Sequence, residues 1–457
     1  MSRDKRILDG APDDGASDPS PKRAREGTES PRETDQPSVP SSVDEVNVPR
    51  VHVPKTKYAI AFGYLGTAYH GFQIQSGPGT DHVDTVEGCM LDALFAAGAI
   101  HESHRNLMGK LQLSKASRTD KGVHAACTYI GGRFELSHLS AGEPDVSRED
   151  ALVSKLNELL PGDIKCFQVL RVTRGFCARS MCSRRRYEYV LPEWLLRKRY
   201  VLDNESKRDR FSKLSEQMGA HLQSHDRISC IRVGHGPSNG YEGTTEEREL
   251  DVEVLESILR AYCGSHDFRN FTPKQKGLEN TTQRFIHDVK VERRTVSGSD
   301  VVSVTVTGQS FLYNQIRKMM ALACEVYLGT APECAIPFTL SKRHVVQTAI
   351  APAEGLFLHH PYFDAYNKRC APPQTPFIEF EDVESQVEEF KQSRLYPEIV
   401  SSFEGDVWTT WLSRLVRNPF FLENSEFRVS GEQPTGAKGT VSPVDAAAPD
   451  PESGEAA

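Results

Sequence analysis

Hydrophobic positions along the chain switch repeatedly between a period of two and a period near four. Residues 58–64, Tyr-Ala-Ile-Ala-Phe-Gly-Tyr, predict a strand, and residues 66–73 a Gly- and Gln-containing loop. Val86, Met90 and Leu94 recur every four residues and predict a helix. Asp84 is its expected N-cap, Glu87 completes a capping box, and Gly98 is the stop. A second helix is expected from Ser147, burying Leu152, Leu156 and Leu159 and ending at Pro161-Gly162. Strands follow at residues 164–172 and 186–191. The pattern weakens over 201–250, an apparent insertion with a helix near 207–221 and a loop at 234–239. Order resumes with a helix at 252–263, an alternating strand at 301–306, and a helix at 314–328 closed by Gly329. Residues 390–415 are aromatic and partly helical, with a break expected at Pro397. This irregular mixture has too few βαβ units for a doubly wound sheet and predicts an α+β fold, helices on one face of largely antiparallel sheets. No fixed-period repeat is visible.

Composition changes the picture at the two ends. Of 457 residues, 55 are Lys or Arg and 63 are Asp or Glu, a net charge of -8 that on its face argues against a nucleic-acid partner. The first 50 residues carry -3, residues 430–457 carry -4, and the middle only -1. Both ends are poor in large apolar residues and are expected to be disordered. The basic cluster at 21–25 fits a nuclear localisation signal as well as it fits a solvated charge run. No apolar run is long enough for a transmembrane helix, and the acidic residues that follow Met1-Ser-Arg-Asp-Lys-Arg lead us to expect no secretory or transit segment. The ten cysteines include no Cys-x-x-Cys pair, so neither a zinc ribbon nor a disulfide framework is signalled. Cys177 and Cys182 read as ordinary thiols in a reducing compartment.

Three segments could carry chemistry. In Ser114-Lys-Ala-Ser-Arg-Thr-Asp-Lys-Gly-Val-His-Ala125, Asp120 sits at a turn between Arg118 and Lys121. Two flanking cations would lower its pKa and keep it ionised, as a nucleophile requires, or would hold phosphates. An Asp in a turn is otherwise an ordinary turn-former. In Phe176-Cys-Ala-Arg-Ser-Met-Cys-Ser-Arg-Arg-Arg-Tyr-Glu-Tyr189, aromatic residues flank a basic run, an arrangement suited to phosphates and base faces. The same run fits a basic edge strand with Tyr187 and Tyr189 on one face. In Gly308-Gln-Ser-Phe-Leu-Tyr-Asn-Gln-Ile-Arg-Lys-Met-Met320, Arg317 falls in the first turn of a helix, against the helix dipole, so an acidic neighbour is expected. A surface Arg is the plain alternative.

In this order and spacing, the three segments resemble the TruA-type tRNA pseudouridine synthases. The resemblance covers about residues 55–366. It includes Tyr64-Leu-Gly-Thr-Ala-Tyr-His-Gly-Phe-Gln73, Thr85-Val-Glu87, Leu156-Asn-Glu-Leu-Leu-Pro161, Arg186-Tyr-Glu-Tyr189, Gln315-Ile-Arg-Lys318 and Ala351-Pro-Ala-Glu-Gly-Leu356. Residues 264–272 and 310–319 and the region beyond 390 are similar to the eukaryotic nuclear multi-site branch. Asn314 stands where that branch usually has His, and residues 266–270 also resemble a sister branch.

The resemblance implies two subdomains, 55–172 and 173–366, whose antiparallel sheets adjoin around a basic catalytic cleft. A disordered head (1–54), a helical extension (367–428) and an acidic tail (429–457) would complete the chain. It implies isomerisation of uridine to pseudouridine in tRNA near the anticodon stem, with no metal or organic cofactor. Small nuclear RNA and messenger RNA are further candidate substrates. Asp120 would be the catalytic carboxylate, Arg317 its ion-pair partner and Tyr187 the residue against the uracil. Arg118, Lys121, Arg179 and Arg186 would hold the RNA. A monomer in the nucleus is expected, with cytoplasm and mitochondrion as alternatives, and no membrane partner. Two rival readings are an inactive tRNA-binding chaperone of the same fold and a glycosidase-like hydrolase. The trio Asp120, Tyr187 and Arg317 argues against the first, and the lack of a second carboxylate motif near Asp120 against the second.

Overall fold

A computed structural model describes residues 56–429 apart from 76–83, 102–103, 105–107, 140–145, 201–204, 226–244, 274–280, 342–343, 371, 373, 419, 421–423 and 425–427. The predicted head with its basic cluster, the tail beyond Val429 and the loop at 234–239 lie outside the described residues. The central element is a nine-stranded sheet. In chain order its strands are β1 (Thr56–Tyr64), β2 (Ser114–Lys115), β3 (His124–Phe134), β4 (Ile164–Arg171), β5 (Arg184–Pro192), β6 (Gly264–Asp267), β7 (Gln283–Val296), β8 (Ser299–Gly308) and β9 (Leu356–Tyr362). Their order in space is β4-β1-β3-β9-β5-β8-β7-β6, with β2 paired to β3.

The two expected sheets are therefore one. β9 comes last in the chain yet lies between the halves. It pairs antiparallel with β5, and parallel with β3 only through Phe357↔His124 and Leu358↔Ala125. The remaining strand pairs are antiparallel.

Side-chain alternation sorts β1 into two faces. Ile60, Phe62 and Tyr64 enter one hydrophobic layer, while Ala59 and Ala61 enter the other. The small residues leave room for the C-terminal extension. A Cβ on Gly63 would lie 2.6 Å from Ala126 O and 3.0 Å from the Phe390 ring. The first layer is covered by α1 (Val86–Ala96), α2 (Arg148–Leu159), α3 (Glu205–His225), α4 (Val252–Arg260) and α5 (Gln315–Leu328). The second is covered by α6 (Glu384–Phe390) and α7 (Tyr396–Ser401). α8 (Asp406–Arg417) reaches the first layer, where buried Trp408 meets Tyr189 edge-on at 6.2 Å. Beneath α7 a polar knot is buried. Glu188 of β5 pairs with Arg294 and accepts hydrogen bonds from Ser303 Oγ (2.7 Å) and Tyr396 Oη (3.3 Å). Helices thus lie on both faces of the sheet, where the sequence pattern suggested one.

Several local expectations shift. Thr85, not Asp84, caps α1: its backbone is extended and its side chain accepts from Gly88 N–H. Glu87 closes no capping box, because its carboxylate takes Ile74 N–H and pairs with Lys115. Leu152 and Leu156 are buried, but Leu159 is exposed and Leu160 turns inward in its place. Pro397 does not break the helical path. A π-turn over Lys391–Leu395 runs into α7, and Pro397 sits in the first turn, where no backbone N–H is needed. In the insertion, α3 is present and Lys198–Tyr200 pairs with Thr245–Glu247.

Because Trp408 is fully buried and its indole N–H is held by Ser402 Oγ at 3.0 Å, Trp408→Ala should cost about 3–5 kcal/mol. Urea unfolding of the two proteins measures this directly.

Candidate active site

The turn that carries Asp120 is fixed from three directions. Val123 N–H closes it on Asp120 O at 3.1 Å, with Gly122 at a positive φ of 78° that favours glycine. Residues 66–73 lie backbone to backbone against it. Phe72 N–H donates to Thr119 O (3.2 Å), and a Cβ on Gly66 would stand 2.2 Å from Val123 O. Tyr64 of β1 shares a 2.6 Å hydrogen bond with Thr119 Oγ1. His124 completes the seat. Its Nδ1 accepts from Gly66 N–H at 3.0 Å, so Nε2 carries the proton and donates to Glu354 O at 3.2 Å. Burial pushes its pKa down to about 4, and it remains a neutral brace between the start of the fold and the loop before β9.

The opposite wall comes from β5 and α5. Tyr189 Oη donates to Pro352 O at 2.7 Å and fixes the loop before β9. That loop clasps Arg317: its Nε donates to Ala351 O (2.7 Å), and Ala351 N–H donates to Arg317 O (3.2 Å). Asn314, just before α5, has a left-handed backbone (φ 60°, ψ 5°). Its N–H donates to Asp120 Oδ2 at 3.3 Å, and its Oδ1 accepts from Arg317 Nη1 at 3.4 Å. Tyr187 Oη lies 3.4 Å from Ser117 Oγ, and its ring meets Phe311 edge-on at 5.1 Å.

These surroundings raise the Asp120 carboxyl from an ordinary 3.8 to about 6. Burial is the largest cause; the Arg317 charge and the Asn314 N–H oppose it. The expectation that Arg118 and Lys121 would hold the pKa down therefore fails. Both side chains are exposed; Arg118 turns to Gln73 Oε1 at 3.1 Å. Arg317 supplies the favourable charge, but through space. Its guanidinium is committed to Ala351 O and Asn314 Oδ1 and forms no contact ion pair with Asp120.

Asp120, Tyr187 and Arg317 come together at one place, although they are far apart in the sequence. Arg179 is exposed on the short helix Ala178–Met181, beside β2. Arg186 is on the wrong face for this site. Alternation along β5 turns it away from Tyr187, toward His359, His360 and Glu292 beneath the extension. Arg185 shares the Tyr187 face instead and is bound to Ala116 O (2.8 Å) and Gln309 O (2.8 Å). The same two-residue period could have identified it from sequence. Asn314, Ser117 and the Tyr64–Thr119 pair had no comparable signal, since each matters only through a partner distant in the chain. Among the described residues, no group of three or more His, Cys, Asp or Glu side chains could hold a metal ion. No described helix is long and apolar enough to cross a membrane.

The family described as tRNA pseudouridine synthase matches residues 258–364, which include Arg317 and Asn314 but neither Asp120 nor Tyr187. Longer similarities span both halves of the fold. "tRNA pseudouridine synthase 1" of Saccharomyces cerevisiae is 30% identical over 381 residues, 73% of this chain and 66% of its own. "Pseudouridylate synthase 1 homolog" of Mus musculus is 29% identical over 413 residues, 89% and 83% of the two chains. The chain belongs to the TruA-type pseudouridine synthase family. "tRNA pseudouridine synthase 1" of Yarrowia lipolytica is 28% identical over 429 residues, covering 83% of this chain and 76% of its own. The large mixed sheet flanked by helices is consistent with the TruA fold.

A carboxyl raised to about 6 is costly to keep ionised in the folded state. Its penalty is absent below about pH 3, where folded and unfolded chains are both protonated, and complete above about pH 7. Asp120→Asn should therefore stabilise the protein at pH 7.5 by up to about 3 kcal/mol, and the gain should vanish toward about pH 3. Denaturant unfolding across that range tests the sign.

Proposed function

We propose that this chain isomerises uridine to pseudouridine in tRNA. The observation that carries the reading is a partly buried carboxylate, Asp120, held by the Asn314 N–H in the field of Arg317, with the Tyr187 ring and hydroxyl nearby. The reaction breaks the N1–C1′ bond of uridine and forms a C5–C1′ bond. The proton on C5 is lost and N1 gains one, so nothing is oxidised or reduced. Asp120 acts as the ionised catalytic carboxylate. Tyr187 lies against the uracil and takes the C5 proton. Burial raises its pKa, so it is a phenol at neutral pH and accepts that proton only by passing on its own. Ser117 Oγ, 3.4 Å away, is the adjacent hydroxyl for that transfer and releases its own proton in turn, the chain ending on N1 of the base, which gains one. Arg118 and Lys121, exposed beside the turn, and Arg179 on its short helix contact RNA phosphates. A stem uridine must leave its stack to reach Asp120.

The finer assignments rest on the sequence resemblance to the eukaryotic multi-site branch. The target lies near the anticodon stem, small nuclear and messenger RNA are further substrates, and the protein acts in the nucleus as a monomer. The C-terminal extension stands in for a second subunit. Pseudouridine mapping of total RNA with and without the protein, imaging of the tagged chain and light scattering test these in turn.

Asp120→Ala should abolish pseudouridine formation on a tRNA transcript while salt-sensitive binding persists. Retained turnover would sink the assignment. In the wild type, single-turnover rates should fall as pH drops through about 6, because the protonated carboxyl cannot act. Arg317→Lys should lower turnover more than stability. A lysine ammonium cannot reach Ala351 O and Asn314 Oδ1 with the geometry of the guanidinium. Comparison of single-turnover rate and melting temperature separates the two effects.

A further inference from the structure

Asn314 is an unusual way to begin a helix. An N-cap residue normally has an extended backbone and turns its side-chain oxygen onto the next free N–H groups of its own helix. Asn314 does neither. Its backbone is left-handed, a conformation that Asn tolerates better than most residues, and its side chain makes no cap hydrogen bond. The helix starts without that side chain: Lys318 N–H reaches the Asn314 backbone O at 3.0 Å, and Gln315 Oε1 accepts Leu312 N–H at 2.8 Å. The left-handed turn aims the Asn314 N–H at Asp120 Oδ2, and the side-chain oxygen goes to Arg317 Nη1. One residue therefore touches both members of the charged pair, which do not touch each other.

We propose that Asn314 is a positioning residue that sets the spacing of Asp120 and Arg317, its backbone holding the carboxylate and its side chain holding the guanidinium. The inference rests on the assignment of Asp120 as the catalytic carboxylate. Arg317 is pinned at its other edge by Ala351 O, so releasing Nη1 lets the guanidinium pivot about Nε. The charged and titratable groups that face Asp120 are Arg317 from α5, Tyr187 from β5 and Tyr64 from β1. None of them replaces the Asn314 carbonyl as an acceptor for Nη1. A misplacement of this kind costs rate rather than RNA affinity, because the phosphate-binding cations lie elsewhere.

Two substitutions separate positioning from mere structure. Asn314→Gly keeps the left-handed backbone and its N–H but removes the acceptor for Arg317. Asn314→Asp keeps both the backbone preference and the acceptor but adds a negative charge beside Asp120, which makes Asp120 harder to ionise. Single-turnover pseudouridine formation on a tRNA transcript is measured from pH 5 to 9, with the tRNA dissociation constant and melting temperature of each protein and Asp120→Asn as control. Asn314→Gly should be slower by about tenfold or more at every pH, with unchanged affinity. Asn314→Asp should be slow at low pH and recover at high pH, its acidic limb displaced upward by about half a pH unit or more. Equal, pH-independent losses in both variants would reduce Asn314 to a structural role, and wild-type rates in both would remove it altogether. Either result with an inactive Asp120→Asn overturns the positioning proposal alone. An active Asp120→Asn overturns the catalytic assignment and this proposal with it.

Discussion

Everything at the site depends on placing a carboxylate where water is scarce without giving it a contact ion pair. Asp120 is desolvated, and its pKa rises to about 6 even with Arg317 opposing the shift. A surface Asp between two lysine-like cations would ionise freely but would also be screened and mobile. The fold instead holds the carboxylate with one backbone N–H and a charge at a distance. That arrangement leaves it ionised near neutral pH while its cation is tied to other oxygens.

Two long-range joints make this possible. The first is β9, drawn between β3 and β5, which turns two antiparallel sheets into one. The loop before it is gripped by His124 from one half and Tyr189 from the other, and it grips Arg317 in turn. The second is the C-terminal extension. Its α6 and α7 cover the face opposite the site, where Ala59, Ala61 and Gly63 leave space and where Glu188 would otherwise face solvent with Arg294, while α8 packs Trp408 against Tyr189 on the site face. The extension supports the site without lining it. Residues of β5 serve both layers by alternation: Tyr187 and Tyr189 on the site face, Arg186 and Glu188 on the other.

Much of this was legible in the chain. The strand at 56–64, the helix stripe Val86, Met90 and Leu94, and the helix closed by Gly329 follow from periodicity and stop signals that local sterics enforce. Residue type marked the segments that hold Asp120, Tyr187 and Arg317, the family resemblance singled out the three residues, and they converge. Arg186 was named from a run of three arginines, although the two-residue period of a strand already puts Arg185, not Arg186, on the Tyr187 face, and the unbroken pairing of β5 with β8 keeps that alternation. Asp84 lost the cap to Thr85 because its carbonyl is used by His70 N–H, a contact with the preceding loop. Leu159 yielded to Leu160 because the chain leaves the helix there in an extended conformation.

By itself, the sequence determined which groups are available and which local shapes are cheap. It supplied a carboxylate at a glycine turn, an arginine early in a helix, a tyrosine in a strand, and two ends poor in large apolar residues. Only the tertiary structure decided how those groups act on one another. The ionisation of Asp120 depends on its burial and on the distance to Arg317, and the role of Asn314 on a residue 194 positions away. Desolvation and Coulomb energies depend on separation in space. No pattern along the chain encodes that separation until β9 has closed the sheet.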